Sequence, residues 1–88
     1  MSSSEDKVVE SFDLNRIMKS TKFPIICIYN NPKDYPGKYI ARLWDVNTPT
    51  NIVAVAESLE EIRKTKPADM VIMDRQPKDD PVIVETWI

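Results

Sequence analysis

Histidine is absent from this chain of 88 residues, and glycine occurs only once, at Gly37. Without an imidazole, the commonest general base and the commonest transition-metal ligand are both missing. A single glycine excludes a glycine-rich loop that could cradle phosphate. Cys27 is the only cysteine, which excludes an internal disulfide framework and points to a reducing, cytoplasmic setting. No apolar run approaches the ~20 residues that a membrane helix needs. The opening Met-Ser-Ser-Ser-Glu-Asp-Lys has neither the basic start nor the apolar core of a secretory signal. An excess of charge is also lacking: the net charge is −2, which argues against non-specific attraction to nucleic acid or to an anionic membrane.

What is present is a composition of 42% hydrophobic and 30% charged residues, that of a globular protein rather than a disordered one. A chain this short forms one domain and needs nearly every apolar run for its core. Residues 1–7 read as a disordered polar tail and residues 8–88 as a single domain.

The clearest local signal is Thr-Asn-Ile-Val-Ala-Val-Ala-Glu-Ser-Leu-Glu-Glu-Ile-Arg-Lys-Thr-Lys-Pro, residues 50–67. It reads as a strand over 51–56 that passes into a short helix. Ser58 and Glu61 stand in the S-x-x-E relation of a capping box. Glu60 and Glu61 sit at the positive end of the helix dipole, and Arg63, Lys64 and Lys66 at the negative end. Glu60 and Lys64 add an i, i+4 pair, and Pro67 stops the helix.

Around this junction lie further strands. Residues 23–29, Phe-Pro-Ile-Ile-Cys-Ile-Tyr, are almost wholly apolar, as a strand buried on both faces would be. Residues 30–38 form a long hairpin loop in which Pro36 and Gly37 fit the centre of a type II turn. In residues 39–44, Tyr39, Ala41 and Leu43 lie on one face, and Ile40, Arg42 and Trp44 on the other. A polar turn over 45–49, a strand over 70–74 and a charged turn over 75–81 follow. The last strand, 82–88, alternates Val82, Val84, Thr86 and Ile88 against Ile83, Glu85 and Trp87. Near the N-terminus, Leu14, Ile17 and Met18 have helical spacing behind a capping Asp13, while Val8, Val9 and Phe12 extend that helix or form an added edge strand. The expected fold is α+β: one sheet of four to five strands, largely antiparallel, covered on one face by a short helix, in the order (α)-β-β-β-α-β-β. Should the strands flanking the central helix be parallel neighbours, that helix is a right-handed crossover.

Few residues point to chemistry. Cys27 lies in Ile-Ile-Cys-Ile-Tyr, with no local group to lower its pKa, and reads as a small buried hydrophobe. Asp74, Asp79, Asp80 and Glu85 surround the last turn, but their spacing matches no cation loop and Arg75 and Lys78 lie among them, so ion pairs on a solvated turn are expected. The basic residues Lys22, Lys33, Lys38, Arg42, Arg63, Lys64 and Lys66 are scattered, with acids between most of them, and form a nucleic-acid face only if the fold gathers them. Tyr35 in the long loop, Trp44 and Trp87 near strand ends, and Asp79 and Asp80 in the charged turn are the candidate interaction residues. For both tryptophans the alternative is packing over the sheet or under the helix.

The order of hairpin, third strand and Ser-Leu-Glu-Glu helix start resembles the HicB-type antitoxin half-domain over about residues 25–66. That resemblance implies a sheet backed by a helix. The glycine-rich segment usual after the second strand of that family and its DNA-binding extension do not occur in these 88 residues, so no functional residue is carried over. In its terse tail and its Val-Glu-Thr-Trp-Ile end, the chain is similar to small single-domain proteins of Gram-positive bacteria and their mobile elements, a likeness that implies no activity. Together the residues call for no cofactor and no metal. They suggest a non-enzymatic cytoplasmic regulator or inhibitor that binds a protein partner, with self-pairing through a sheet edge as one route to a homodimer. An antitoxin-like or phage-type regulator bound to nucleic acid is the alternative, and a small enzyme using carboxylates or Cys27 ranks last.

Overall fold

The computed structural model describes residues 6–46, 48–74 and 82–88. In chain order the elements are β1 (Lys7–Val8), α1 (Leu14–Ser20), β2 (Pro24–Asn30), β3 (Tyr39–Asp45), β4 (Thr48–Ala56), α2 (Leu59–Arg63), β5 (Ile72–Asp74) and β6 (Ile83–Trp87). The strands form one open sheet in the order β1-β4-β3-β2-β6-β5. Among the described residues β1 and β4 pair in parallel, and the other neighbouring pairs are antiparallel. The α+β class and the run β-β-β-α-β-β agree with expectation. The sheet has six strands rather than four to five because Lys7 and Val8 add to the edge of β4. Asp6 and Lys7, assigned from the sequence to a tail, thus belong to this edge, while residues 1–5 lie outside the described residues. The strands flanking α2 run in the same direction but are not neighbours, since β3, β2 and β6 lie between them.

Local chemistry sets the element ends. Asp13 caps α1 by accepting from the Asn15 amide at 3.0 Å, and the Thr21 hydroxyl closes that helix by donating to the Ile17 carbonyl at 2.8 Å. Ser58 caps α2 by accepting from the Glu61 amide at 3.1 Å. The helix ends at Arg63 rather than reaching Pro67, because its last turn tightens: Lys64, Thr65 and Lys66 donate to the carbonyls three residues back. Glu60 and Lys64, expected to pair, form no ion pair within 4.0 Å. The Lys66 ammonium instead donates to the Pro67 and Met70 carbonyls, at 3.1 and 2.7 Å. No helix among the described residues is long and apolar enough to cross a membrane.

Both helices pack on the same side of the sheet. Phe12, Ile17, Ile62 and Met70, from the helices and the segments beside them, meet Ile26, Ile28, Ala41, Leu43, Ala54 and Trp87 of the strands. Each fully buried large side chain contributes about 1.5–3 kcal/mol relative to exposure. Among the described residues, Glu85 is the carboxylate that sits within this core, 3% exposed. Arg63 reaches it from α2, and Trp87 Nε1 donates to it at 2.8 Å.

Candidate functional site

Because side chains alternate along a strand, each register fixes a second face as firmly as the first. Ile26 and Ile28 point to the helices, so Ile25, Cys27 and Tyr29 point away from them. The registers join one row across all six strands: Val8, Val53, Arg42, Cys27, Thr86 and Met73. A second row holds Val55, Ile40, Tyr29 and Ile83. The strand β6 bulges here, Ile28 facing Glu85 while Tyr29 faces Ile83. A third row begins with Pro49, Trp44 and Ile25, and continues to Ile88 and Val71, which exchange two backbone hydrogen bonds at 2.7 and 3.0 Å. No described helix covers these rows.

One end of the face is closed by a polar latch. The Asp6 carboxylate receives Arg42 Nη1 at 3.2 Å and Nη2 at 3.1 Å, and the Tyr35 hydroxyl at 2.9 Å. Arg42 Nη1 also donates to the Thr50 carbonyl at 2.7 Å. The pair is largely enclosed, with side-chain exposures of 16% for Arg42 and 6% for Asp6. Hydrogen bonding from Arg42 outweighs burial and, with the Tyr35 hydroxyl, holds the Asp6 carboxyl below its usual range; burial and the same carboxylate push the Tyr35 phenol up. The latch is therefore electrically neutral as a unit.

Tyr35 reaches Asp6 because its loop is folded rather than extended. Pro36 and Gly37 form the expected turn, with Gly37 at φ 77° and the Lys38 amide donating to the Tyr35 carbonyl at 3.2 Å. The Asn31 side chain accepts from the Gly37 amide at 2.7 Å. Nearer the middle of the face, Trp44 Nε1 donates to the Tyr29 hydroxyl at 3.2 Å. Burial, with Cys27 beside it, raises the Tyr29 phenol above its ordinary value.

The other end of the face is apolar and open. Val71 is 61% exposed, Ile88 53% and Met73 41%, beside the half-buried Ile25 and Trp44. Phe23 and Val46 are also exposed at this end of the sheet, where the Val46 amide donates to the Phe23 carbonyl. A single exposed aliphatic side chain means little, but a contiguous group on one face marks a contact surface.

Of the residues singled out from the sequence, Tyr35 and Trp44 both belong to this face, the first through Asp6 and Arg42 and the second directly. Trp87 does not. It is 0% exposed on the opposite side, where its ring packs in the core and its Nε1 is used by Glu85. Asp79 and Asp80 lie outside the described residues. Cys27 is half-buried on the open face rather than sealed in the core. Val71, Met73, Ile88 and Asp6 were not foreseen as surface-forming residues, and Arg42, weighed only as part of a basic face, is instead paired with Asp6. The signal that bore on them was the almost wholly apolar stretch 23–29, which demands cover on two faces. Among the described residues no three Cys, Asp or Glu side chains converge as metal ligands would. No known protein family matches this chain, and no curated protein or solved structure is significantly similar to it.

Proposed function

We propose that this protein is a non-enzymatic interaction module that binds a protein partner through the open face of its sheet. The observation that carries this is the uncovered apolar group of Trp44, Ile25, Ile88, Val71 and Met73. A strand as apolar as β2 is stable when both of its sides are shielded from water, and the helices shield only one. The polar latch at Asp6, Arg42 and Tyr35 gives that face a rim whose donors and acceptors already satisfy one another. Binding there removes apolar area from water without stranding a charge.

A photo-crosslinking side chain placed at Met73 tests this in the intact protein in cells. Covalent adducts are expected from Met73 and not from Lys64, which is exposed on the helical side. Equal yields from the two positions, or none from Met73, would remove the open face as the binding surface.

A further inference from the structure

We infer that the open face is occupied by a second copy of this chain, the two sheets packing face to face as a sandwich. This rests on that face being a protein-binding surface and names its partner.

Three observations favour self-association. The first is charge. A two-fold interface brings each patch against itself, so an uncompensated charge there would meet its own kind. Among the described residues this face holds Asp6 with Arg42 and, at its edge beyond Ile40 and Val55, Lys38 with Glu57, and each pair is neutralised within the protomer, at 3.1 and 2.7 Å. Neither pair carries a net charge that would select an oppositely charged partner. The second is composition. Interfaces between identical subunits are more apolar than transient ones and resemble a divided core, and the group from Trp44 to Val71 is uniformly apolar.

The third is area. The molecule measures 31 × 30 × 23 Å, and the sheet forms one broad side. Six strands of two to nine residues, rising ~3.3 Å per residue and spaced ~4.8 Å apart, present a flat footprint of roughly 500 Å². Part of it is already sealed by the latch, Val53 and Ile40 being 0% and 2% exposed, so the area offered suits a small, reversible two-fold contact rather than the ~800 Å² per partner of a large stable complex. The two inner faces would then lie ~10 Å apart, the usual sandwich spacing. Each copy supplies the layer that the other lacks.

Sedimentation equilibrium of the purified full chain, beside a Val71→Lys/Met73→Lys variant, tests this. Both positions are exposed in the protomer, so the variant retains its fold, which circular dichroism checks. The natural chain is expected to sediment at twice its monomer mass at micromolar concentration, with a melting temperature that rises with concentration. The variant is expected to dissociate at least ~100-fold more readily. A natural chain that stays monomeric overturns the inference, and so does a dimer that survives both lysines. The crosslinker at Met73 separates the two failures. Adducts to another protein from a monomeric chain overturn only self-association, whereas a monomeric chain with no adducts overturns the open face as well.

Discussion

Arg63 and Glu85, 22 residues apart in sequence, meet through two hydrogen bonds: Nη2 to Oε1 at 2.6 Å and Nε to Oε2 at 3.1 Å. This fork ties α2 to β6 and places a carboxylate in the core beneath it. Burial pushes the Glu85 carboxyl up, but the bonds from Arg63 and Trp87 and the guanidinium charge outweigh it and hold the group below its ordinary 4.5.

The pH dependence follows from that direction. A carboxyl depressed in the folded state stabilises the fold above its unfolded value, and this contribution is lost as pH falls through the lower folded value. Stability is therefore expected to hold down to about the ordinary carboxylate range and to fall below it. Arg63→Ala leaves the acid buried with Trp87 alone. The expected cost at neutral pH is about 2 kcal/mol, discounted from that of a fully buried pair because Arg63 is half exposed. Its sign then reverses: with the guanidinium gone, burial dominates and the folded carboxyl lies above 4.5. The deficit of the variant should shrink as the solution is acidified, which urea melts at several pH values measure. A deficit that stays constant with pH would show that Glu85 is not the group responsible.

Asp6 makes a separate prediction about the edge of the sheet. Strand β1 is only two residues long, and the latch to Arg42 and Tyr35 holds it against β4. Asp6→Asn removes the charge that Arg42 pairs with and is expected to cost about 2 kcal/mol. The loss should be local. The Val9 amide, which donates to the Val53 carbonyl at 2.8 Å, should exchange its hydrogen much faster, while amides of β2 and β3 change little. In the unaltered chain the Asp6 carboxyl is held below its ordinary 3.8, so the latch is intact above that value and weakens as pH falls beneath it. Uniform faster exchange across all strands would instead make β1 part of one cooperative unit.

Much of this fold could be read locally. Ser58 fixed the start of α2 through its own neighbours, Asp13 did the same for α1, and Pro36-Gly37 turned the long loop. Alternation also separated Tyr39, Ala41 and Leu43 from Ile40, Arg42 and Trp44. It could not say which of the two sets the helices would cover, because that depends on where Phe12, Ile17 and Ile62 dock. Trp44 and Trp87 look alike in sequence for that reason, each near a strand end, yet one lies on the open face and the other in the core. The contact between Asp6 and Arg42 spans 36 positions and arises only once β1 lies parallel to β4. Nothing in either residue's surroundings announces it.

Gly37 sits at φ 77° with open space where a Cβ would point. Gly37→Ala therefore meets no neighbour, and its cost is purely the left-handed backbone, about 1 kcal/mol. The melting temperature of the variant should fall by roughly 4–8 °C for each kcal/mol lost in a domain of this size. Gly37→Asn should recover part of the loss, since asparagine tolerates this region better. Equal losses for alanine and asparagine would mean that the loop resists any side chain at all.

Val46 carries the opposite opportunity. Asp45 and Thr48 pair across the β3–β4 hairpin, and Val46, which follows Asp45, adopts φ 61°. Two-residue hairpins favour positive φ at the first turn position, where asparagine is the usual occupant and a β-branched side chain is strained. The left-handed conformation costs an ordinary residue about 1–2 kcal/mol. Val46 is exposed, so little packing is lost on replacing it, and the amide that donates to the Phe23 carbonyl is unchanged. Val46→Asn should therefore stabilise the protein by about 1 kcal/mol, raising the melting temperature by roughly 4–8 °C. Thermal denaturation of the two chains at equal concentration checks it. A lower melting temperature for the variant would show that the valine side chain, beside Phe23 at the apolar end of the open face, contributes more by contact than its backbone costs by strain.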